Sequence, residues 1–410
     1  ILFTLALLVS FSSFGQTSSE YFDSAYDKAE NGDYNGAIAD YNKAIEINFP
    51  NKNELAIAYY NRGNAKHNLE DYYGAIADLT KAIEIRPNYA IAYYNRGNAK
   101  DELKDYYGAI ADYNKAIEIN FPNKNELAIA YYNRGNAKDE LKDYNGAIAD
   151  LTKAIEIRPN YAGAYNNRGF SKNILKDYYG AIADFTKAIE FNPDDPDAYY
   201  NRGNAKDELK DYNGAISDYT KAIELNPNHT GAYNNRGNSK HNLEDYYGAI
   251  ADLTKAIEIR PNYAIAYYNR GNAKDELKDY YGAISDYTKA IELKPNYAGA
   301  YNNRGFSKNI LKDYYGAIAD YNKAIEINFP NKNELAIAYY NRGLAKDELK
   351  DYNGAISDYT KAIEFNPNLG IAYNNRAIAK ELSGIDGCAD ARKAKELGYS
   401  ADKLIGMVCN

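Results

Sequence analysis

Cysteine, histidine and tryptophan are scarce or missing in this sequence. Its 410 residues include two cysteines, three histidines and no tryptophan. His67, His229 and His241 have no partner at metal-ligand spacing, so they cannot complete a usual zinc set with the two cysteines near the end. Phosphate-binding glycine loops, nucleophile elbows and HExxH motifs are also missing. We therefore expect a non-enzymatic protein that binds no metal or other cofactor.

An excess of positive charge is missing as well. The formal net charge is −8 and the pI is about 5.2. Proteins that bind a nucleic-acid backbone need a basic surface, so nucleic acid is not an expected partner. Lysine and arginine alternate with aspartate and glutamate, which is typical of a solvated, ion-paired surface.

Long apolar runs are missing except in residues 1–15, which read ILFTLALLVSFSSFG. The run ends in small residues, with Ser13 and Gly15 at the −3 and −1 positions of a cleavage site. Because it is shorter than the roughly 20 residues that span a bilayer, we predict a signal peptide, truncated at its start, rather than a membrane span. The mature chain would begin at Gln16, be exported to the periplasm, cell surface or medium, and keep no stable membrane span.

A repeat dominates the rest of the sequence. An Arg-Gly pair, first seen at Arg62 and Gly63, returns with its glycine at 97, 135, 169, 203, 237, 271, 305 and 343. The intervals are 34 or 38 residues. With the related copies around Ala25 and Ala377 there are eleven units. Such a period indicates an array of small supersecondary units.

Each unit is predicted to be a helical hairpin. In the unit that starts at Ala56, taken as position 1, the first half has high helix propensity. Asp71 is well placed to cap a second helix, whose apolar residues from Ala75 to Ile83 form a one-sided stripe. Pro87 ends that helix, because proline disfavours helical geometry in the residue before it.

These units resemble tetratricopeptide repeats (TPRs), with small residues at positions 8, 20 and 27, aromatic residues at positions 4 and 24, and proline at position 32. The resemblance implies an all-α, right-handed superhelical solenoid. Its array of about eleven repeats would occupy residues 16–398, and residues 399–410 would form a short capping helix. The family pattern is broken at positions 7 and 11, which are arginine and lysine here. An aspartate recurs at position 23 in units where position 7 is arginine, as with Asp78 and Arg62. We interpret these two residues as a structural ion pair within the unit.

Two further features interrupt the repeat. The linkers at 49–55, 121–127 and 329–335 read FPNKNEL and are four residues longer than the others. Asn51 followed by Glu54 resembles a capping box, so we expect the next first helix to gain about one turn. Cys388 and Cys409 lie in the atypical last unit, where an exported protein could join them in a disulfide; free thiols are the alternative.

In the TPR family the first helices line a concave groove, and positions 2, 5, 6, 9, 12 and 13 point toward it. In this sequence position 6 is asparagine in every unit from the second onward. The candidate peptide-binding residues at this position are Asn61, Asn95, Asn133, Asn167, Asn201, Asn235, Asn269, Asn303 and Asn341. Those at positions 5 and 9 are Tyr60, Tyr94, Tyr132, Tyr200, Asn98, Asn136, Asn204, Phe170 and Phe306.

The groove chemistry suggests a function. An asparagine amide both donates and accepts hydrogen bonds, so a row of them could pair with the backbone of an extended peptide, as in a protein O-glycosyltransferase with the same repeat. Asp-Glu pairs at positions 12 and 13 would make the groove acidic and favour basic segments. We therefore predict a protein-interaction scaffold. Three alternatives stay open: the position-6 asparagines bond the backbone of the neighbouring unit, the groove binds a glycan, or the array is a structural spacer of the cell envelope.

Overall fold

The computed structural model describes residues 17–409, apart from residues 48, 50, 120, 122 and 330. The predicted signal peptide and the start of the mature chain at Gln16 lie outside this range. The described residues form 23 α-helices and no β-strand, which confirms the all-α prediction. A search of the same residues finds no helix that is long and apolar enough to cross a membrane.

The helices, in chain order, have the following bounds. The first eleven are α1 (Ser18–Glu30), α2 (Tyr34–Ile47), α3 (Lys52–Asn68), α4 (Tyr72–Ile85), α5 (Ala90–Glu102), α6 (Tyr106–Ile119), α7 (Lys124–Glu140), α8 (Tyr144–Ile157), α9 (Ala162–Ile174), α10 (Tyr178–Phe191) and α11 (Pro196–Glu208). The others are α12 (Tyr212–Leu225), α13 (Thr230–Asn242), α14 (Tyr246–Ile259), α15 (Ala264–Glu276), α16 (Tyr280–Leu293), α17 (Ala298–Ile310), α18 (Tyr314–Ile327), α19 (Lys332–Glu348), α20 (Tyr352–Phe365), α21 (Gly370–Leu382), α22 (Cys388–Glu396) and α23 (Asp402–Val408).

The chain divides into two compact units, Ile1–Ala205 and Lys206–Asn410. In the first unit, α3 packs against α4 and α4 packs against α5, and this order continues along the unit. In the second unit, α13, α14 and α15 are related in the same way. Each unit is therefore a run of helical hairpins, each packed on the next, as the repeat predicts.

A three-residue link joins the two helices of a hairpin. After α5, Lys104 adopts the left-handed conformation with φ 60°. Its N–H donates to the carbonyl of Asp101 at 2.8 Å, and the N–H of Asp105 donates to the carbonyl of Lys100 at 2.9 Å. These two bonds form a Schellman motif that ends the helix. Since Asp105 Oδ1 also accepts a hydrogen bond from the N–H of Gly108 at 3.0 Å, the same link caps the start of α6.

Small residues let the two helices of a hairpin approach closely. A Cβ atom added to Gly97 would lie 2.7 Å from the ring of Tyr113, a distance at which one of the two must move. Tyr113 is fully buried, as are Ala109 and Ala137, which pack in the same cluster. The glycine at position 8 is therefore required by helix packing.

A buried aspartate in the second helix binds two cations. Asp112, 4% exposed, accepts hydrogen bonds from Nε and Nη2 of Arg96 at 2.9 and 2.6 Å and pairs with Lys100 Nζ at 2.7 Å. The within-unit ion pair is thus confirmed, and the lysine at position 11 is part of it. Arg96 Nη1 also donates to Thr80 Oγ1 of the preceding hairpin at 3.1 Å, and the guanidinium lies 5.4 Å from the ring centroid of Tyr93. The arginine therefore joins neighbouring hairpins as well.

The longer linkers extend the helices that follow them. α3, α7 and α19 have 17 residues each, against 13 in α5, which confirms the expected extra turn. At the start of α3 the side chain of Asn51 accepts a hydrogen bond from the N–H of Asn53 at 2.9 Å. Phe49, Phe121 and Phe329, the first residues of the three linkers, are buried.

The last hairpin is shortened and followed by one more helix. α22 has nine residues and α23 has seven. The Sγ atoms of Cys388 and Cys409 are bonded at 2.13 Å, which ties the start of α22 to the residue after α23. α23 contains no fully buried residue and packs against α22 and α21, so the disulfide adds a covalent restraint to this packing.

Candidate functional site

One face of each first helix carries the residues of the predicted groove. Positions 2, 5, 9 and 12, and likewise positions 2, 6, 9 and 13, follow one another at intervals of three or four residues, which is the spacing of one helical face. On α5 they are Ile91, Tyr94, Asn95, Asn98, Asp101 and Glu102. We call the corresponding side chains of the odd-numbered helices from α3 to α21, within each unit separately, the first-helix surface.

The asparagines at position 6 connect successive hairpins through side chains. Asn95 Nδ2 donates to Tyr60 Oη at 3.2 Å and to Asn64 Oδ1 at 2.8 Å, both on the preceding first helix. The same pair of bonds is made by Asn133, Asn167 and Asn303. The tyrosine at position 5 and the asparagine at position 9 are therefore acceptors within the array. The alternative considered from the sequence was bonding to the neighbouring backbone, whereas these partners are side chains.

Where position 5 of the preceding first helix is asparagine instead of tyrosine, the position-6 amide donates its hydrogen bond to that asparagine. Asn201 Nδ2 donates to Asn166 Oδ1 at 3.3 Å. The same contact joins Asn269 to Asn234 and Asn341 to Asn302, at 3.2 and 3.4 Å. The other predicted residues, Tyr200, Asn204 and Asn235, are half-buried on the same surface.

Several position-6 asparagines use the amide nitrogen inside the array and leave the amide oxygen over, whereas the Oδ1 atoms of Asn303 and Asn375 accept hydrogen bonds from Asn302 and Asn374. Within the described part of the chain, the Oδ1 atoms of Asn95, Asn133 and Asn167 accept no hydrogen bond. A side-chain amide has one acceptor and one donor group. This part of the surface therefore presents acceptors and is better suited to a ligand that donates hydrogen bonds.

The residue at position 12 is half-buried at the junction with the next first helix. Asp139 Oδ1 accepts a hydrogen bond from Ser171 Oγ at 2.7 Å, and Asp275 Oδ1 accepts one from Ser307 Oγ at 2.8 Å. On the first helix that follows Asp101, the position of these serines is taken by Ala137. Asp101 Oδ1 is buried without a hydrogen-bond partner among the described residues. The identity of one small residue therefore decides whether this carboxylate is satisfied.

The same relation between position 12 of one first helix and position 10 of the next holds for all nine successive pairs of first helices, from α3 and α5 to α19 and α21. Three position-12 side chains are followed by serine and are hydrogen-bonded, namely Asp139, Asp207 and Asp275. Six are followed by alanine and retain a buried polar atom with no partner in the described structure, namely His67, Asp101, Asn173, His241, Asn309 and Asp347. Sequence reasoning missed this relation. The signal was present, because serine occurs at position 10 only after an aspartate at position 12.

Burial changes the titration of these groups. It raises the pKa of Asp101 to about 6, with a smaller contribution from the carboxylates of Glu102 and Glu140. Burial also raises the pKa of Asp139, although the hydrogen bond from Ser171 opposes the shift. The acidity predicted for positions 12 and 13 is therefore exposed mainly at position 13, where Glu102, Glu140 and Glu276 face solvent.

The extra turn of α7 brings a further carboxylate to this surface. The pKa of Tyr60 and of Tyr94 is raised mainly by burial, and the negative charge of Glu126 adds to the shift. Glu334, in the matching turn of α19, acts on Tyr268 in the same way. Glu126 and Glu334 were not among the residues predicted from the sequence. Their place could have been inferred from the four-residue insertion, which starts the helix one turn earlier on the same face.

Phenylalanine interrupts the asparagines at position 9. Phe170 and Phe306 are 41% and 43% exposed, so neither is part of the core. In the second unit, Phe306 lines a cavity of about 430 Å³ together with Asn303, Asn341 and Glu276. In the first unit, a cavity of about 300 Å³ is lined by asparagines and His67. The described residues contain no group of three or more histidine, cysteine, aspartate or glutamate side chains that could hold a metal ion.

Comparison with protein families decides the identity of the repeats. A tetratricopeptide-repeat model matches residues 56–89, 90–121, 128–161, 196–229, 264–297 and 336–369. A second tetratricopeptide-repeat model matches residues 24–51 and 298–331, and a TPR-repeat model matches residues 174–207 and 237–277. Together these matches cover well over half of the chain. The chain belongs to the tetratricopeptide-repeat family. The family assignment makes this chain a TPR scaffold of the kind that binds other proteins. A comparison with curated proteins found no significant match.

Several solved TPR structures resemble the chain. YrrB, described as a TPR protein with an unusual peptide-binding site, is 28% identical and covers 46% of this chain and 95% of its own, with a TM-score of 0.40. MamA is 27% identical, covers 39% of this chain and 93% of its own, and has a TM-score of 0.37. A TPR protein from Parabacteroides merdae is 20% identical, covers 62% of this chain and 98% of its own, and has a TM-score of 0.48. Because these scores are below 0.5, the assignment rests on the family models.

Proposed function

We propose that this TPR protein is a non-enzymatic scaffold that binds extended protein segments on its first-helix surface, and that the segments carry basic side chains. One observation carries the proposal: Asn95, Asn133, Asn167 and Asn341 use their amide nitrogens between hairpins, whereas their amide oxygens accept no hydrogen bond among the described residues and exposed carboxylates lie on the same surface. A ligand for such a surface has to donate hydrogen bonds. Backbone N–H groups and the side chains of lysine and arginine do so, and the basic side chains also complement the negative charge.

In the proposed mode each asparagine amide only accepts, whereas in the binding mode expected from the sequence it both donates to and accepts from the peptide backbone. That mode needs Asn95 Nδ2 to leave Tyr60 and Asn64, its acceptors at 3.2 and 2.8 Å. Each broken bond would cost about 1 kcal/mol unless the ligand replaced it. Binding through the free oxygens leaves the connections between hairpins intact.

The test compares two triple variants with the same change of charge. Glu102→Gln, Glu140→Gln and Glu276→Gln remove exposed carboxylates from the first-helix surface. The control, Glu84→Gln, Glu156→Gln and Glu292→Gln, removes exposed carboxylates from second helices. Binding of fluorescein-labelled Gly-Arg and Gly-Glu peptides is measured by anisotropy at fixed ionic strength, since exposed charge interactions are screened by salt.

We expect the wild type to bind the Gly-Arg peptide and not the Gly-Glu peptide. The first-helix triple variant should weaken Gly-Arg binding more than the control variant does. Equal weakening by both variants would mean that only net charge matters and would contradict the proposed surface. Binding of neutral oligosaccharides with no binding of either peptide would favour a glycan ligand instead.

We also propose that the protein is exported. The apolar residues 1–15 support this proposal, and so does the Cys388–Cys409 disulfide, because disulfides persist mainly in oxidising compartments. Cell fractionation followed by N-terminal sequencing tests it. Export predicts that the protein is recovered outside the cytosol with an N-terminus at Gln16, and recovery of cytosolic protein that retains residues 1–15 would contradict it.

A further inference from the structure

The cavity beside Phe306 combines an exposed aromatic ring with carboxylates and asparagines of the first-helix surface. Its volume is about 430 Å³, within the range of sites that enclose a small group. Phe306 is 43% exposed and Ile337, also on its wall, is 44% exposed. Most other first helices have asparagine where α17 has Phe306. An aromatic side chain and an aliphatic side chain are therefore presented together to the ligand on this surface of the second unit.

The charged groups of the cavity are negative. Asp275 and Glu276 line it, and no lysine or arginine does so. Asp275 is held in place by Ser307 Oγ, at 2.8 Å from its Oδ1, and by the hydroxyl of Tyr287, at 3.2 Å from its Oδ2. Glu276 is exposed. His241 also lines the cavity, and burial lowers the pKa of its imidazole, which disfavours the positively charged form. A cation that enters the cavity is therefore attracted by the carboxylates and is not repelled by any lysine or arginine on the wall.

The amides around the cavity are oriented by their own contacts. Asn303 Nδ2 donates to Tyr268 Oη and Asn272 Oδ1 at 3.2 and 3.0 Å. Asn341 Nδ2 donates to Asn302 Oδ1 at 3.4 Å, and Asn341 Oδ1 accepts no hydrogen bond within the described residues. The free oxygen of Asn341 adds a neutral acceptor to the carboxylate of Glu276.

We propose that this cavity binds the guanidinium group of an arginine in the partner segment, stacked on Phe306 and donating to Glu276 and Asn341. This proposal rests on the proposed function and names one contact of the same surface. A guanidinium is planar, stacks on aromatic rings and presents several N–H groups in a fixed arrangement. The aliphatic part of the arginine would lie along Ile337. Lysine offers a compact, strongly hydrated charge and fits a flat aromatic wall less well.

The substitution Phe306→Asn tests this pocket without introducing a new kind of residue. Asparagine already occupies the same position in the preceding first helix, as Asn272, so the variant is expected to fold. Phe191→Leu is the control, because Phe191 is an exposed aromatic residue at the end of the second helix α10 and leucine ends the equivalent helix α12 as Leu225. The probes are short fluorescein-labelled Gly-Ser peptides that carry either arginines or lysines at the same positions.

We expect Phe306→Asn to weaken binding of the arginine peptide by about 2-fold to 30-fold, the range for loss of one cation–π contact. Phe191→Leu should change it by less than about 2-fold, since Phe191 lies on a second helix and is outside the first-helix surface. The lysine peptide should bind the wild type more weakly than the arginine peptide and respond less to Phe306→Asn. Circular dichroism at increasing temperature checks that both variants are folded.

The possible failures can be told apart. If the wild type binds both basic peptides but Phe306→Asn binds arginine as tightly as the wild type does, the pocket assignment is wrong and the proposed function stands. If neither basic peptide binds the wild type, the proposed function itself fails, and the pocket assignment with it. Equal loss of the arginine and lysine peptides in Phe306→Asn would show that the site does not select a guanidinium.

Discussion

A hydroxyl group placed at position 137 should correct the unsatisfied carboxylate of Asp101. In the structure Asp101 Oδ1 is buried and has no hydrogen-bond partner among the described residues. One junction further, Ser171 Oγ donates to the equivalent oxygen of Asp139 at 2.7 Å. Ala137→Ser copies that arrangement one junction earlier in the same unit. The reciprocal change, Ser171→Ala, should leave Asp139 in the situation of Asp101.

The size of the effect follows from the pKa of Asp101, which burial raises from 3.8 to about 6. Each pKa unit corresponds to about 1.4 kcal/mol, so the shift is at most about 3 kcal/mol. Because Asp101 is only partly buried, solvent screening reduces this to about 1–2 kcal/mol. Between pH 3.8 and about 6 the folded state binds more protons than the unfolded state. The free energy of unfolding therefore falls as the pH rises through this window, and the full penalty is present above about pH 6.

We expect Ala137→Ser to lower the pKa of Asp101 and to raise the free energy of unfolding by about 1 kcal/mol at pH 7. At a pH below 3.8 the carboxylate is protonated in both states, so most of this gain should be lost. Urea denaturation at both pH values measures the stability, and ¹³C NMR of labelled aspartate measures the pKa. A gain of the same size at both pH values, or an unchanged pKa of Asp101, would refute the reasoning. Ser171→Ala should raise the pKa of Asp139 and lower stability near pH 7.

Three further predictions concern the framework. Lys104 has φ 60°, and Lys104→Gly should raise the free energy of unfolding by about 0.5–1 kcal/mol, because the left-handed conformation costs a residue with a Cβ more than glycine loses in entropy; equal or lower stability in urea would contradict this. Arg96→Met leaves buried Asp112 with Lys100 alone and should destabilise the protein by about 3–5 kcal/mol, whereas a loss below 1 kcal/mol would indicate a surface-type ion pair. Cys388→Ser with Cys409→Ser should speed hydrogen exchange in α23 and leave exchange in the other helices unchanged, and unchanged exchange in α23 would show that packing alone holds it.

Local features of the hairpins could be predicted from the sequence because they depend on neighbouring residues. Asp71 at a cap, Pro87 after a helix and Gly63 at a close approach each act within one unit. The extra turn of α3 follows from four added residues that include Asn51. The left-handed residue between the two helices was not predicted, since lysine and glutamate there, unlike glycine, give no sign of positive φ.

The chemistry of the first-helix surface was harder to predict because it depends on contacts between units. The asparagines were placed on the correct helical face, but the sequence does not show that Asn95 Nδ2 already has acceptors in Tyr60 and Asn64. Likewise, Asp101 was expected to add charge to the groove, and its burial follows only from the way successive first helices pack. A residue pattern that spans two units, such as Asp139 with Ser171, was the available signal.

The most direct measurement of the central claim is a crystal structure of the full chain with the arginine-containing peptide. The account predicts that the bonds of Asn95, Asn133 and Asn303 to the preceding hairpin persist in the complex. It also predicts that the ligand donates to asparagine Oδ1 atoms and to carboxylates such as Glu276. A complex in which the asparagine Nδ2 groups leave the array and donate to the peptide backbone would contradict it.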